Sequence, residues 1–269
     1  MNTARCQLGA WGTQNSAVAV GGADDDHDQL TEEYNGLTWA NGGNTINARK
    51  GPHAFGANQN TGIIATGYPP GHSDTTEEYN GTTWSNLSEA ADVTDVINGG
   101  GALGTVNSGL IWGSRAGGNY GSRWNDIKQW NGSTFSELTT ADGHCIFMHH
   151  QRTDIVGAGT QNSAILMGSS AAWSGRLSEI WDGTTFTSVA GRSSGTLAEG
   201  TAGGGGRSQN SSYLAGGNAI ASPSAATTCT EEWDGTAWSN RNALIQARSM
   251  CGNGDLGTTS ACLVFGGCL

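Results

Sequence analysis

Basic side chains are scarce in this sequence. Lys50 and Lys128 are the only lysines in its 269 residues, and the formal net charge is −11. A surface that follows nucleic-acid phosphates needs clustered lysine and arginine. The composition therefore excludes nucleic acid from the expected partners.

Long apolar runs are also missing. No stretch approaches the roughly 20 apolar residues that span a bilayer. Residues 1–8 have neither the basic start nor the apolar core of a signal peptide. We therefore expect no membrane insertion and no Sec-dependent export.

Patterns that bind metals are weak. None of the six cysteines has the C-x-x-C spacing of a zinc site. One acidic loop contains Asp24, Asp26 and Asp28, whose oxygens suit Ca²⁺, but it lacks the alternation and the glycine of a known calcium loop. We keep these three aspartates as weak metal candidates and expect no cofactor.

Cys251 and Cys262 are a candidate disulfide pair. They flank a predicted turn near residues 255–258, which would place them on adjacent strands of one hairpin. A disulfide forms there only if the register brings the two Cα atoms to about 5.5 Å. The alternative is that both are buried thiols, the common state of unpaired cysteine.

The sequence has no helical periodicity, but it is rich in glycine and tryptophan. No run repeats its apolar residues every 3.6 positions over several turns, and charged residues make up only 13% of the chain. The 44 glycines indicate turns. The ten tryptophans recur in register, which indicates repeated packing of large side chains rather than disorder. The sequence predicts an all-β protein.

One nine-residue sequence recurs along the chain. Residues 31–39 read Thr-Glu-Glu-Tyr-Asn-Gly-Leu-Thr-Trp, and residues 76–84 and 230–238 keep this pattern, with looser copies around Trp130 and Trp181. The central glycines are 45, 51, 51 and 52 residues apart. A period near 50 residues is typical of stacked or radial repeats. Asn-Gly or Asp-Gly between two strand-like runs predicts a tight hairpin.

A second signature precedes each of these hairpins. An apolar run lies between a polar turn and one or two glycines, as in residues 12–22, and it occurs a sixth time in residues 257–267. Each repeat thus predicts four strands, which we call a, b, c and d in chain order. We expect a single domain, residues 1–269. Its approximate repeats are 6–49, 50–97, 98–148, 149–199 and 200–248, with a partial repeat at 249–269.

These four-stranded units resemble kelch repeats, because a glycine pair follows the second strand and aromatic residues flank a turn. The combination of Gly-Thr-Gln-Asn-Ser-Ala, Gly-Gly, Thr-Glu-Glu-Tyr-Asn-Gly-x-Thr-Trp and Asn-Thr-Ala-Arg is similar to kelch-like repeat proteins of marine bacteriophages and marine bacteria, over the whole chain. Phe135 and Phe186 depart from the pattern, where other repeats have tryptophan. The resemblance implies a β-propeller with a phage tail, fibre or virion-surface role.

The two signatures do not occur equally often. Six predicted a–b hairpins accompany only five c–d hairpins. We expect a six-bladed propeller whose last blade is incomplete, with a five-bladed ring as the alternative. An incomplete blade leaves a strand edge open to another chain. We expect other virion proteins or a second copy of this chain to cover the edge, unless the N-terminal segment and local side chains do so.

Nothing in the repeats favours catalysis. The segment Gly81-Thr-Thr-Trp84 resembles the end of a sialidase Asp-box, but Tyr79 stands where the box has its aspartate. Paired glutamates such as Glu32 and Glu33 repeat with the blades. We expect them in blade-to-blade hydrogen bonds, since a glycosidase needs two particular carboxylates across one cleft. We predict that the protein is not an enzyme.

Aromatic residues outside the signatures are the candidates for recognition. Tyr120 and Trp124 lie in the long loop of the third repeat, and Trp173 lies in that of the fourth. Such side chains can stack on a sugar ring, or they can pack beneath their own loops. We expect a virion protein that serves assembly or host attachment, with glycan recognition as one route. The alternatives are an extracellular or cell-surface carbohydrate-binding propeller of a bacterium and a glycoside-acting enzyme.

Overall fold

The structure is a computed structural model that describes ten ranges of the chain. These ranges are 1–23, 28–68, 75–87, 100–115, 123–139, 155–168, 176–192, 204–219, 222–251 and 256–268. Within them every regular element is a β-strand. The described residues contain no helix long and apolar enough to cross a membrane.

Five four-stranded antiparallel sheets, here called blades, follow one another along the chain. Blade 1 has β1 (Gly9–Thr13), β2 (Ser16–Val20), β3 (Thr31–Tyr34) and β4 (Trp39–Asn41). Blade 2 has β5 (His53–Asn58), β6 (Thr61–Ala65), β7 (Thr76–Tyr79) and β8 (Trp84–Leu87). Blade 3 has β9 (Gly101–Thr105), β10 (Ser108–Arg115), β11 (Arg123–Trp130) and β12 (Phe135–Glu137).

The last two blades repeat this arrangement. Blade 4 has β13 (Val156–Thr160), β14 (Ser163–Met167), β15 (Ser178–Trp181) and β16 (Phe186–Val189). Blade 5 has β17 (Gly204–Ser208), β18 (Ser211–Ala215), β21 (Thr230–Trp233) and β22 (Trp238–Asn240), with a small extra hairpin of β19 (Asn218–Ala219) and β20 (Ser222–Ala226). The first strands of successive blades contact one another, from β1 to β5, β9, β13 and β17. Strand a is therefore innermost, and the fold is a β-propeller.

The blade count corrects the main expectation. The described residues 249–251 and 256–268 do not form a sixth four-stranded sheet, and the five blades match the alternative prediction. Instead β23 (Ser249–Cys251) pairs with β26 (Gly266–Cys268), and β24 (Gly257–Thr258) pairs with β25 (Ala261–Cys262). The physical reason is that this last repeat carries one a–b signature and no c–d signature, so it cannot supply four strands.

The last repeat nevertheless lies between blade 5 and blade 1. At several junctions a glycine N–H at the end of strand b donates to the carbonyl of an arginine in the next repeat. This bond joins Gly22 to Arg49 at 2.9 Å, Gly217 to Arg248 at 2.9 Å and Gly267 to Arg5 at 3.0 Å. In addition, β24 contacts both β17 and β1. The last repeat thus makes the same junction bonds as a blade.

The core lies between blades and depends on tryptophan. Trp11 is fully buried, and its indole N–H donates to the carbonyl of Asn58 in blade 2 at 2.8 Å. Its ring lies against Gly62, where an added Cβ would come within 2.2 Å of the ring. The aromatic residues Tyr79 and Trp84 of blade 2 pack edge-on against it. Each blade therefore buries the face of the preceding one.

The hairpins between strands c and d are closed by one side chain. In blade 1, Oδ1 of Asn35 accepts the N–H groups two and three residues later, at 3.0 and 2.9 Å. Gly36 then has a φ of +93°, which glycine adopts without strain. In blade 4, hydrogen bonds from Thr184 and Thr185 lower the pKa of Asp182 to about 2. The recurring Asn-Gly or Asp-Gly is therefore a structural turn.

Candidate binding site at the open last repeat

Buried ion pairs hold strand c at the blade junctions. Arg5 contacts Glu32 at 2.8 Å, and Arg49 forms the corresponding pair with Glu77, with all four side chains at most 1% exposed. Each arginine also donates to a carbonyl at the end of strand b, that of Gly21 or Thr66. The first glutamate of each Thr-Glu-Glu sequence here is thus part of the scaffold.

Blades 3 and 5 show two variants of this arginine–glutamate pair. In blade 5, Arg192 faces Glu231 at 3.9 Å, and burial lowers the pKa of Arg192 to about 10 despite the nearby carboxylate. In blade 3, Lys128 stands at the position of the glutamate and pairs instead with Glu137. The first glutamate of strand c therefore has an arginine partner in blades 1, 2 and 5.

The second glutamate and the hairpin aromatics join neighbouring blades. The hydroxyl of Tyr79 donates to Glu33 of blade 1 at 2.6 Å, and burial together with Glu33 raises the pKa of Tyr79. The indole N–H of Trp84 donates to Oγ1 of Thr31 at 3.0 Å. The bond to Glu33 confirms the prediction of blade-to-blade hydrogen bonding for this glutamate.

Arg248 occupies the same position at the last junction but lacks the glutamate. Its guanidinium donates to the carbonyl of Gly266 at 2.9 Å, as Arg5 does to Gly21. The residue two positions after Arg248, Met250, has a φ of +54°, like Gln7 at +52°. Because the described residues of the last repeat provide no strand c, Arg248 has no carboxylate partner among them.

A groove lies where the missing outer strands would pack on blade 5. Its volume is about 650 Å³. Its lining includes Tyr213, Thr230, Glu232, Arg241, Cys262 and Val264. Oγ1 of Thr230 is buried and has no hydrogen-bond partner in the described part of the chain. At this position in blade 1, Thr31 accepts the indole N–H of Trp84.

A second groove, of about 320 Å³, faces blade 1. Met1, Arg5, Arg248 and Phe265 are among its lining residues. Met1 packs against the adjoining apolar cluster, so the N-terminal segment covers this side in part. Val264 lines both grooves, so the two grooves meet at this residue.

The aromatic pair of blade 1 borders this open region. Trp39 packs on Phe265 with ring centroids 4.8 Å apart, but Tyr34 and Trp39 are only half-buried, whereas Tyr79 and Trp84 of blade 2 are buried. The hydroxyl of Tyr34 and the indole N–H of Trp39 donate to no described residue. The equivalent groups of Tyr79 and Trp84 in blade 2 donate to Glu33 and Thr31 of blade 1, and Tyr34 and Trp39 have no such acceptors among the described residues.

The segment that follows β25, residues 263–265, has no regular strand structure and exposes part of its backbone. Leu263 donates its N–H to the carbonyl of Leu256, on the inner side. Because antiparallel strands direct successive backbone groups to opposite sides, Cys262 and Val264 direct theirs outward. The equivalent residues of blade 1 pair with strand c; Ala19, for example, lies opposite Glu32. The outward backbone groups of Cys262 and Val264 meet no strand among the described residues.

The two candidate disulfide residues lie in different ladders. Cys251 lies opposite Gly266, and its thiol donates to that carbonyl at 3.5 Å. Cys262 lies opposite Gly257, and burial raises the pKa of its thiol. The predicted hairpin that would have placed Cys251 opposite Cys262 is therefore wrong, because each cysteine pairs with a glycine instead.

The other predicted site residues remain mostly outside the described part of the chain. Tyr120, Trp173, Asp24 and Asp26 lie there. Trp124 belongs to β11, opposite Ser114, and its side chain is not described. Asp28 donates its backbone N–H to the carbonyl of Gly22. Among the described residues, no group of three or more His, Cys, Asp or Glu side chains is placed to hold a metal.

Sequence reasoning did not identify the residues of the open region. The available signal was the recurring Ala-Arg at residues 4–5, 48–49 and 247–248. An arginine in the third copy without a following Thr-Glu-Glu would have indicated a cation that lacks its partner.

A conservative substitution tests the role of the indole N–H groups. Replacing Trp84 by phenylalanine leaves Oγ1 of Thr31 buried without a donor, so we expect a loss of about 1–3 kcal/mol in the free energy of unfolding, measured in urea. The natural precedent is blade 3, where Phe135 stands in this position and Oγ1 of Thr76 has no partner among the described residues.

The matched control is Trp39→Phe. Its indole N–H donates to no described residue, so this change should destabilise the isolated protein less than Trp84→Phe. Equal losses for the two variants would show that the hydrogen bond across the blades contributes nothing.

Comparisons with known proteins identify the fold. No family model matches the chain, and no curated protein matches it. The solved structure of YjhT matches with a TM-score of 0.74 at 12% sequence identity, and the match covers 98% of this chain and 91% of that one. At this identity the likeness shows a β-propeller fold alone. The predicted kelch, phage and marine relationships stay predictions.

Proposed function

We propose that this chain is a non-enzymatic β-propeller that serves assembly or attachment, as on a virion surface or tail, and that it joins its assembly through the open last repeat. The observation that carries this proposal is the outward-facing backbone of Cys262 and Val264 between two grooves. Elsewhere in the described chain, the corresponding strand is paired. Strand addition to such an edge is a common mode of protein recognition.

The ionisable residues of the repeats support a scaffold rather than a reaction centre. Glu32, Glu77 and Glu231 each face a buried arginine, and Glu33 accepts a hydrogen bond across two blades. Their charges stabilise the ring. Glycan recognition by Tyr120, Trp124 and Trp173 remains a separate prediction.

A proline at residue 264 tests this function. Val264→Pro removes one outward N–H, which an edge strand tolerates, and blocks the pairing of an added strand. We expect the variant to fold with an unchanged melting temperature but not to enter its native particle or co-sediment with host cells. The matched control, Val264→Thr, keeps the N–H and should assemble as the parent does.

The contrary result is equally clear. If Val264→Pro enters the particle and binds cells as well as the parent chain, the open edge does not serve assembly or attachment.

A further inference from the structure

We infer that the edge receives a β-hairpin from another protein, with Thr-Glu-Glu-aromatic on its first strand and tryptophan at the start of its second. This inference rests on the proposed function and specifies the partner's chemistry. Each required residue follows from a polar group that the described structure leaves without its usual partner. The groups lie on three sides: Arg248 in the last repeat, Tyr34 and Trp39 in blade 1, and Thr230 in blade 5.

The guanidinium of Arg248 requires a carboxylate. It already donates to the carbonyl of Gly266, in the manner of Arg5 and Arg49. Those two arginines each contact the first glutamate of a strand c. A strand added beside residues 262–265 in the register of blade 1 places its first glutamate opposite Val264, as Glu32 lies opposite Ala19.

The blade 1 side specifies the residues on either side of that glutamate. Tyr34 corresponds to Tyr79, whose hydroxyl donates to the second glutamate of the preceding blade. Trp39 corresponds to Trp84, whose indole N–H donates to the threonine before the first glutamate. The added strand therefore presents threonine to Trp39 and its second glutamate to Tyr34.

The blade 5 side specifies the aromatic residues of the hairpin. Oγ1 of Thr230 is buried without a donor among the described residues, and an indole N–H at the start of the second strand would satisfy it. Glu232 corresponds to Glu33, and its ion-pair partner among the described residues is the exposed Arg241, so it can accept a tyrosine hydroxyl. The groove of about 650 Å³ beside both residues provides the space for these rings.

A second copy of this chain is a poor source of such a hairpin. The first glutamates of its strands c are at most 1% exposed, so a copy could donate one only by opening a blade. They are Glu32, Glu77, Glu179 and Glu231. A different protein can present the same chemistry on a segment that is not already part of a ring.

A peptide cut from this chain is the probe. Residues 75–87 contain the blade 2 hairpin from Thr75 to Leu87. Linking its ends forms the hairpin before binding, which lowers the entropy lost in the complex. We expect one peptide to bind each intact protein molecule in calorimetry. The peptide with Glu77→Gln should bind at least about tenfold more weakly, since it loses a charge-assisted hydrogen bond.

A double-mutant cycle assigns this loss to Arg248. Arg248→Gln in the intact protein should weaken the binding of the parent peptide by a similar factor. On this variant, the Glu77→Gln change in the peptide should cause little further loss of affinity. A scrambled peptide of the same composition is the matched control. The melting temperature of Arg248→Gln shows whether it folds, and the peptide variant measured on unchanged protein does not depend on that result.

The outcomes separate this inference from the proposed function. Binding of the Glu77→Gln peptide within twofold of the parent, or no binding of the parent peptide, overturns the inference. So does a dimer of the chain alone that the peptide cannot displace. If Val264→Pro blocks assembly while the Glu77→Gln change leaves peptide binding unchanged, only the inference fails. If the peptide binds as expected while Val264→Pro assembles normally, only the proposed function fails.

Discussion

Replacing Glu77 by alanine should lower the free energy of unfolding by about 3–5 kcal/mol, because it leaves the guanidinium of Arg49 buried without a countercharge. The side chains of both residues are fully buried. The carboxylate also accepts the N–H groups of Ile46 and Asn47, at 2.7 and 3.2 Å. The side-chain amide of Asn47 donates to it as well, at 3.1 Å, so one substitution removes the acceptor for four donor groups between blades 1 and 2. Urea unfolding measures the loss.

The control for this prediction is Glu232→Ala. Glu232 pairs with Arg241, whose side chain is 51% exposed. Exposed pairs contribute at most about 1 kcal/mol, so this variant should unfold close to the parent. If the two variants lose equal stability, the buried pairs do not hold the blades together.

Replacing Trp11 by alanine should destabilise the protein by about 3–5 kcal/mol, because it leaves a cavity that the surrounding side chains cannot fill. The ring lies against Gly62, with no side chain that could move in, and carries the packing of Tyr79 and Trp84. The N–H that donates to Asn58 is lost as well. For a chain of this size we expect the melting temperature to fall by about 10 °C.

Leu37 provides the control for the tryptophan. It lies at the tip of a c–d hairpin and is 88% exposed. Leu37→Ala should change stability by no more than about 0.5 kcal/mol. A small loss for Trp11→Ala would contradict the view that the core lies between the blades.

The sequence predicted the blades because their signals are local. Asn-Gly at residues 35–36 forms a turn through its own side chain, and the apolar run at residues 16–20 forms the adjoining strand. Such patterns repeat at a fixed spacing, so the all-β fold and the radial arrangement followed from counting. The all-β propeller prediction is confirmed by the five blades and by the match to YjhT.

Counting the signatures predicted an incomplete last repeat with an open edge, but it gave neither the number of blades nor the residues that surround this edge. Counting treated residues 249–269 as an incomplete blade, but a four-stranded sheet needs a c–d hairpin that these residues do not contain. The junction pairs join residues 27 or 28 positions apart, as in Arg5 with Glu32 and Arg49 with Glu77. No local pattern shows that such residues meet, and so the position of Arg248 was visible only in the structure.

Blades 1 and 2 thus share one set of polar contacts, which blade 3 varies through Lys128 and Phe135 and which the last junction leaves incomplete among the described residues. Arg248, Thr230 and Trp39 each occupy a position whose counterpart in blades 1 and 2 has a partner. We propose that assembly supplies the missing groups. On this account the partner makes the contacts that the blades already make with one another.

The most direct test of this account is amide hydrogen exchange at Val264, compared with Ala19, its equivalent in blade 1. Ala19 is paired with Glu32 on strand c. We predict that the Val264 amide of the isolated protein exchanges much faster than that of Ala19, and that the linked peptide of residues 75–87 slows it to a similar rate. A Val264 amide as protected as Ala19 in the isolated protein would contradict the account, since its edge would then already be covered.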